Sequence, residues 1–285
     1  MDSRFLRSLI SVIDSGSIAE AARTEHLTAA AVSQRIKSLE TEFGFELLCR
    51  VGHTATPTEA CISIMPRARR IVNEVRLLAG DADSHGLTGT LRLGIIPSQV
   101  TPLFVSTLRT LGCHQPGIHI SLSQNNSRNL YNSLVLGEID GAIAVEPAFE
   151  LPKTVRSILL RTEPLVLVAQ RCNGMPINEQ LKNNRYIEYQ PDPFVGHSAR
   201  KYLDDHAIDL KSTCDTSSLN AIAMLVRDGV GVSLIPQWRG LENHYNGCAV
   251  TPINDERYTR KIVLMTSKLT DRPGMIEKLL EILSV

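Results

Sequence analysis

The sequence has no net charge. Its 30 basic residues are balanced by 30 acidic ones, and the pI is near 7.1, which excludes a uniformly basic nucleic-acid binder. Any patch that meets a polyanion must therefore be local. No apolar run is long enough to span a bilayer. The opening stretch MDSRFLRSLISVID lacks both an uninterrupted apolar segment and a small-residue cleavage site, so no signal peptide is expected and a cytoplasmic location is. Six cysteines stand at 49, 61, 113, 172, 214 and 248, without a C-x-x-C pair and without histidine at metal-ligand spacing. Buried thiols are expected, with no metal and no cofactor; a redox pair among Cys172, Cys214 and Cys248 is the alternative. No G-x-S-x-G elbow, H-E-x-x-H pair or P-loop occurs, so the chain does not read as an enzyme.

What is present is a packed globular composition. Hydrophobic residues make up 43% and charged residues 21% over 285 positions, enough for two domains. The most informative stretch is Ser17–Arg50. It reads as two helices joined by a short polar turn, with Thr28 as the cap of the second. Val32, Ile36, Leu39 and Phe43 recur at steps of four, three and four, which places them on one buried stripe. Ala30, Gln34 and Lys37 then face outward, with Ser33 and Arg35 on the flanks. A small residue allows close approach to base edges, Gln pairs with adenine, and Lys or Arg meets guanine or phosphate. An ordinary amphipathic helix pair with a solvated outer face fits the same spacing.

The run GSIAEAARTEHLTAAAVSQRIKSLETEFGFELLCR from Gly16, with PTEA at Pro57–Ala60, resembles the N-terminal signature of LysR-type transcriptional regulators. The resemblance implies an N-terminal winged helix-turn-helix (all-α with a small wing), a long dimerising linker helix and a two-lobed α/β effector domain of periplasmic-binding-protein type. It implies DNA contacts from Ser17, Thr28, Ala29, Ala30, Ser33, Gln34, Arg35, Lys37, Arg50 and His53, with Arg50 at a position expected to meet phosphate and His53 at the tip of the wing, the turn Val51–Thr56. Partners implied are double-stranded promoter DNA, a small-molecule effector and a second copy through the linker helix, with a homotetramer beyond that. Two departures stand out: Ala29-Ala30 replaces the usual Gln-Pro after the cap, and Cys61 replaces a Gly after the TEA segment.

Ser3–Ser15 should form a helix ended by Gly16. Beyond Thr58, small or apolar residues at Cys61, Ile64, Ala68, Ile71, Val75, Leu78 and Ala82 step by three and four, a seam that wants a partner helix. Packing against its own domain is the alternative. Pro66 should bend this helix. Gly80–Gly89 reads as a polar hinge. The expected parts are residues 1–58 (DNA-binding), 59–89 (linker and hinge) and 90–285 (effector-binding). Within the last, lobe I covers about 90–162 and 262–285 and lobe II about 163–261.

From Thr90, short apolar runs alternate with helical patterns. LRLGII, IHISLS and GAIAV suggest a βαβαβ unit with a parallel sheet. Strand carboxyl ends with their following helix N-termini make a cleft that favours an anion. The candidate cleft residues are Ser98, Gln99, Asn125, Asn126, Ser127, Thr216 and Ser217, with Phe194 as an apolar wall and His197 as a polar contact. Each hydroxyl serves equally as a plain helix cap. A small organic acid or amino acid is the effector class expected. The competing function is a cytoplasmic solute-binding protein whose helical N-terminus makes protein contacts only.

Overall fold

The computed structural model describes residues 2–51, 54–81, 87–100, 103, 105–114, 117–171, 174–190, 192–238, 247–270 and 272–283. The chain divides into two compact units: Met1–Thr88 with Val135–Glu138, and the remainder.

In the first unit three helices are each started by a side-chain cap. Helix α1 spans Ser3–Ser15, with Asp2 accepting from the Arg4 N–H at 2.8 Å, and ends at Gly16 in the left-handed region (φ 66°). Helix α2 spans Ile18–Thr24 behind Ser17, and α3 spans Ala29–Phe43 behind Thr28, whose hydroxyl accepts from Ala31 N–H at 3.1 Å. Gly44, at φ 80°, closes α3. The stripe Val32, Ile36 and Leu39 is buried against Leu6, Leu9 and Val12 of α1. Strands β1 (Leu48–Val51) and β2 (Thr54–Pro57) pair antiparallel as a hairpin.

Helix α4 spans Glu59–Asp81 and contains Pro66. Thr58 caps it, accepting from Cys61 N–H at 3.1 Å. The expected seam is divided. Cys61 and Ala68 are buried, and Ile64, Ile71 and Val72 pack on the same core, so the first half joins its own domain. Val75 and Leu78 are exposed, as is Ile62 on another face. Only the second half of the seam is left uncovered; Ala82 lies outside the described residues.

The second unit begins with β3 (Gly89–Ile95), the single turn α5 (Pro97–Gln99), α6 (Val105–His114), β4 (Ile118–Gln124), α7 (Ser127–Val135) and β5 (Gly141–Val145). It continues through β6 (Val155–Glu163), β7 (Leu165–Ala169), α8 (Ile177–Asn183), β8 (Tyr186–Tyr189), α9 (Ser198–Asp205) and β9 (Ser212–Thr216). Helix α10 (Leu219–Arg227), β10 (Ser233–Pro236), β11 (Ala249–Pro252), β12 (Arg260–Ser267) and α11 (Pro273–Leu283) complete it.

The first lobe is a five-stranded sheet in the order β4-β3-β5-β12-β6. Strand β3 runs parallel to β4 and β5, the expected βαβαβ unit, and β12 is antiparallel to both β5 and β6. The sheet is thus mixed rather than purely parallel, because two later strands return to its edge. The second lobe holds β10-β7-β11 and the parallel pair β8-β9, joined by a bridge from Tyr186 to Val232. That bridge requires Gly231, where a Cβ would stand 2.3 Å from the Arg185 carbonyl oxygen. The chain passes between the lobes at Pro164, between β6 and β7, and again at the start of β12.

Candidate DNA-binding face and effector cleft

On α3, Ala29, Ala30, Gln34 and Lys37 are exposed, Ser33 is half-buried, and Thr41 continues the same outward stripe. Thr41 was not singled out from sequence, although its spacing from Lys37 was available. Ser17 and Thr28 hold the helix starts as caps. Glu40 is turned away from this face: its Oε1 accepts from Leu47 N–H at 2.8 Å and Leu48 N–H at 3.2 Å. It tethers the turn into β1 and, with burial as the larger cause, pushes the Cys61 thiol up to about 11.

Arg35 is a correction. Its Nη1 donates to Ser8 Oγ at 3.0 Å and to Glu25 Oε2 at 3.1 Å, with the Ser8 hydroxyl donating to the same carboxylate oxygen at 2.7 Å. The Glu25 side chain is only 8% exposed, and an inward guanidinium is what stabilises it there. Arg35 therefore joins α1, the end of α2 and α3 instead of standing on the outer face. Arg50 lies on β1 opposite Ala55; its side chain, and His53 altogether, lie outside the described residues.

In the second unit a cavity of about 280 Å³ opens between the lobes. Of the candidate residues, Ser98, Asn126, Ser127 and Ser217 lie in its lining, together with Tyr189, Asp192, Ser218, Asn220 and Arg260 and the apolar Ile96, Val145, Val195 and Leu219. The other five candidates do not. Gln99 is fully buried below the floor, its Nε2 donating to Glu163 Oε1 at 2.9 Å and its Oε1 accepting from Arg161 Nη2 at 2.6 Å. Asn125 accepts from Asn129 Nδ2 at 2.8 Å and works as a local cap. Thr216 accepts from Ser218 N–H at 3.1 Å. Phe194 is buried against Tyr131 and Phe149, with ring centroids 5.4 and 5.1 Å away, so its neighbour Val195 forms the wall. His197 lines a smaller recess of about 30 Å³ and caps α9 through Nδ1, which accepts from Arg200 N–H at 3.0 Å. Desolvation pushes its pKa down, so the ring is neutral.

No sequence pattern pointed to the charge set at the floor. Arg260 donates through Nε to Glu163 Oε2 at 2.6 Å and through Nη2 to Ser98 Oγ at 3.2 Å. Glu163 is 2% exposed, and Arg161 stands 4.0 Å from its other oxygen. At the rim, Arg128 of α7 pairs with Asp192 of the opposite lobe at 3.0 Å and holds that carboxyl below its usual range. Among the described residues no cluster of His, Cys, Asp and Glu is placed to hold a metal, and no helix is long and apolar enough to cross a membrane.

A family model described as "Bacterial regulatory helix-turn-helix protein, lysR family" matches residues 3–61, and one described as "LysR substrate binding domain" matches residues 84–284. The nitrogen assimilation regulatory protein nac of Klebsiella aerogenes is 25% identical over 243 residues, covering 83% of this chain and 79% of its own. The transcriptional activator IlvY of Salmonella typhimurium is 25% identical over 247 residues, covering 83% of each. A full-length OxyR variant from Pseudomonas aeruginosa superposes with a TM-score of 0.74 at 21% identity, over 100% of this chain and 98% of that one. Full-length CbnR bound to its target DNA superposes at 0.68 and 18% identity, over 99% of both chains. These matches decide against a solute-binding protein with a merely adhesive N-terminus, and against an enzyme. The chain belongs to the LysR family: it is a DNA-binding transcriptional regulator with an effector-binding domain.

Proposed function

We propose that two copies of this chain, joined through α4, set their α3 helices into successive major grooves of a near-palindromic promoter site in the cytoplasm. A small organic acid or amino acid bound between the lobes controls them. The observation that carries the DNA reading is the exposed stripe Ala30, Gln34, Lys37 on a helix whose opposite face buries Val32, Ile36 and Leu39 and half-buries Phe43. Lys37 supplies the charge, and Gln34 with small neighbours supplies reach to base edges. The uncovered Val75 and Leu78 at the far end of α4 support pairing of copies, and a pair of such dimers makes the tetramer. The net positive floor of the cleft, two guanidiniums against one carboxylate, supports an anionic effector. Control requires that the effector bind two lobe arrangements with different affinity.

The test is DNA binding by the full-length chain to its own upstream region. Lys37→Ala should weaken binding by about 1–3 kcal/mol and flatten its salt dependence, with thermal stability unchanged. Undiminished binding by this variant, measured by gel shift across a salt series, would overturn the assignment of the face.

A further inference from the structure

The turn between α3 and β1 is gripped from two sides. Gly44, Phe45 and Glu46 are exposed, and the passage is anchored at Leu47, whose side chain is fully buried. From α3, Glu40 Oε1 accepts the N–H of Leu47 at 2.8 Å and that of Leu48 at 3.2 Å. From the start of α4, Thr58 holds the other end of the same residue. The Leu47 carbonyl accepts from the Thr58 N–H at 3.0 Å and from its hydroxyl at 3.3 Å. That hydroxyl also donates to the Glu46 carbonyl at 2.9 Å and accepts from the Cys61 N–H at 3.1 Å. Leu47 thus joins the last turn of α3 to the cap of α4.

Helix α3 by itself does not favour a carboxylate at Glu40. The residue stands in the last turn, at the negative end of the helix dipole. Two backbone donors offset that repulsion, and they come from the turn, not from the helix. The two helices also share an apolar core, in which Val32, Ile36 and Leu39 of α3 lie with Cys61 and Met65 of α4. Apolar burial is non-directional and leaves the angle between helices soft. Hydrogen bonds have a preferred length and direction, and two sets of them on one residue fix that angle.

We propose that Glu40 is a positioning residue for DNA binding. By holding Leu47 from α3 while Thr58 holds it from α4, it sets the angle between the two helices. In a pair of chains joined through α4, that angle sets the distance and rotation between the two α3 helices, and so the half-site spacing the pair accepts. Glu40 touches no DNA in this role. The inference rests on the paired reading given above.

Gel shifts with the full-length chain test this on its own upstream site and on copies with one base pair inserted or removed at the centre. One inserted pair turns the second half-site by about 35° and moves it by about 3.4 Å. The wild type should lose at least about tenfold in affinity on each altered site. Glu40→Ala should bind the natural site more weakly and lose less than about threefold on changing the spacing. Glu40→Gln keeps an oxygen for the two N–H groups and should follow the wild type within about twofold at every spacing. A role in stability alone would lower affinity equally on all sites, and that result, or wild-type discrimination in Glu40→Ala, would overturn the proposal. If Glu40→Ala melts below the assay temperature, Glu40→Asp makes the same comparison. It keeps the charge but is one methylene short of the turn, and wild-type discrimination there would overturn the proposal equally. A wild-type chain indifferent to spacing would overturn the paired reading and this inference with it; discrimination kept in the variants removes only the role of Glu40.

Discussion

Arg35→Ala should destabilise the DNA-binding unit by roughly 3–5 kcal/mol, the cost typical of leaving a buried charge without its partner. Glu25 is the charge left behind. Its carboxylate is almost enclosed, and Arg35 and Ser8 both bond one of its oxygens. Without the guanidinium it must ionise alone in a poor solvent or take up a proton. Either outcome loosens the junction of α1, α2 and α3, because the three members of the cluster come one from each element or its end. Against a typical domain stability of about 5–15 kcal/mol this is a large fraction. DNA affinity would fall too, through population of the unfolded unit. Lys37→Ala provides the contrast, with affinity lost and stability kept. Replacing both partners, Glu25→Leu with Arg35→Leu, should recover most of the lost stability, since no lone charge remains. Hydrogen exchange of the α3 amides under mild urea reads the effect directly. If Arg35→Ala left exchange unchanged and still abolished DNA binding, the guanidinium would be a DNA contact and its inward role would be wrong.

Much of this molecule was legible before any coordinates. Side-chain caps at Ser17, Thr28 and Thr58, the glycine stops at 16 and 44, and the buried stripe of α3 follow from local chemistry, which sequence displays directly. Arg35 was misplaced because a flank position at 100° per residue can turn either way, and its acidic partner lies in the preceding turn. The cleft was half legible for a related reason. Residues after strand ends were found, but which of them face the cavity depends on what lies beneath. Gln99 points down because Glu163 and Arg161 are there, and both belong to β6, whose irregular burial along VRSILLRTE left no alternation to read. Arg260 was missed because its importance arises from pairing: it is the register partner of Glu163 across β12 and β6, nearly a hundred residues apart in sequence.

That register explains why Glu163→Ala is expected to be the most damaging single change in the sensor unit. Glu163 ends β6, one residue before the chain turns through Pro164 into the second lobe, and Arg260 opens β12 where the chain returns. The ion pair therefore clamps the two crossings side by side. Glu163 also receives Gln99 Nε2, which in turn is held by Arg161, so three side chains gather around one carboxylate. Removing it leaves two neighbouring guanidiniums with no anion between them, a like-charge contact in a mostly buried place. A loss of roughly 3–5 kcal/mol is expected, visible as a lower urea midpoint for the unfolding of this unit. Glu163→Gln should lose less, because the amide retains an oxygen for Arg260 while giving up the charge. It should also raise affinity for carboxylates, since the floor of the cleft then carries two positive charges and no negative one, and that gain should shrink as salt is added. A Glu163→Ala protein unfolding at the wild-type urea concentration would show that the pairing beneath the cleft is not what holds the crossings together.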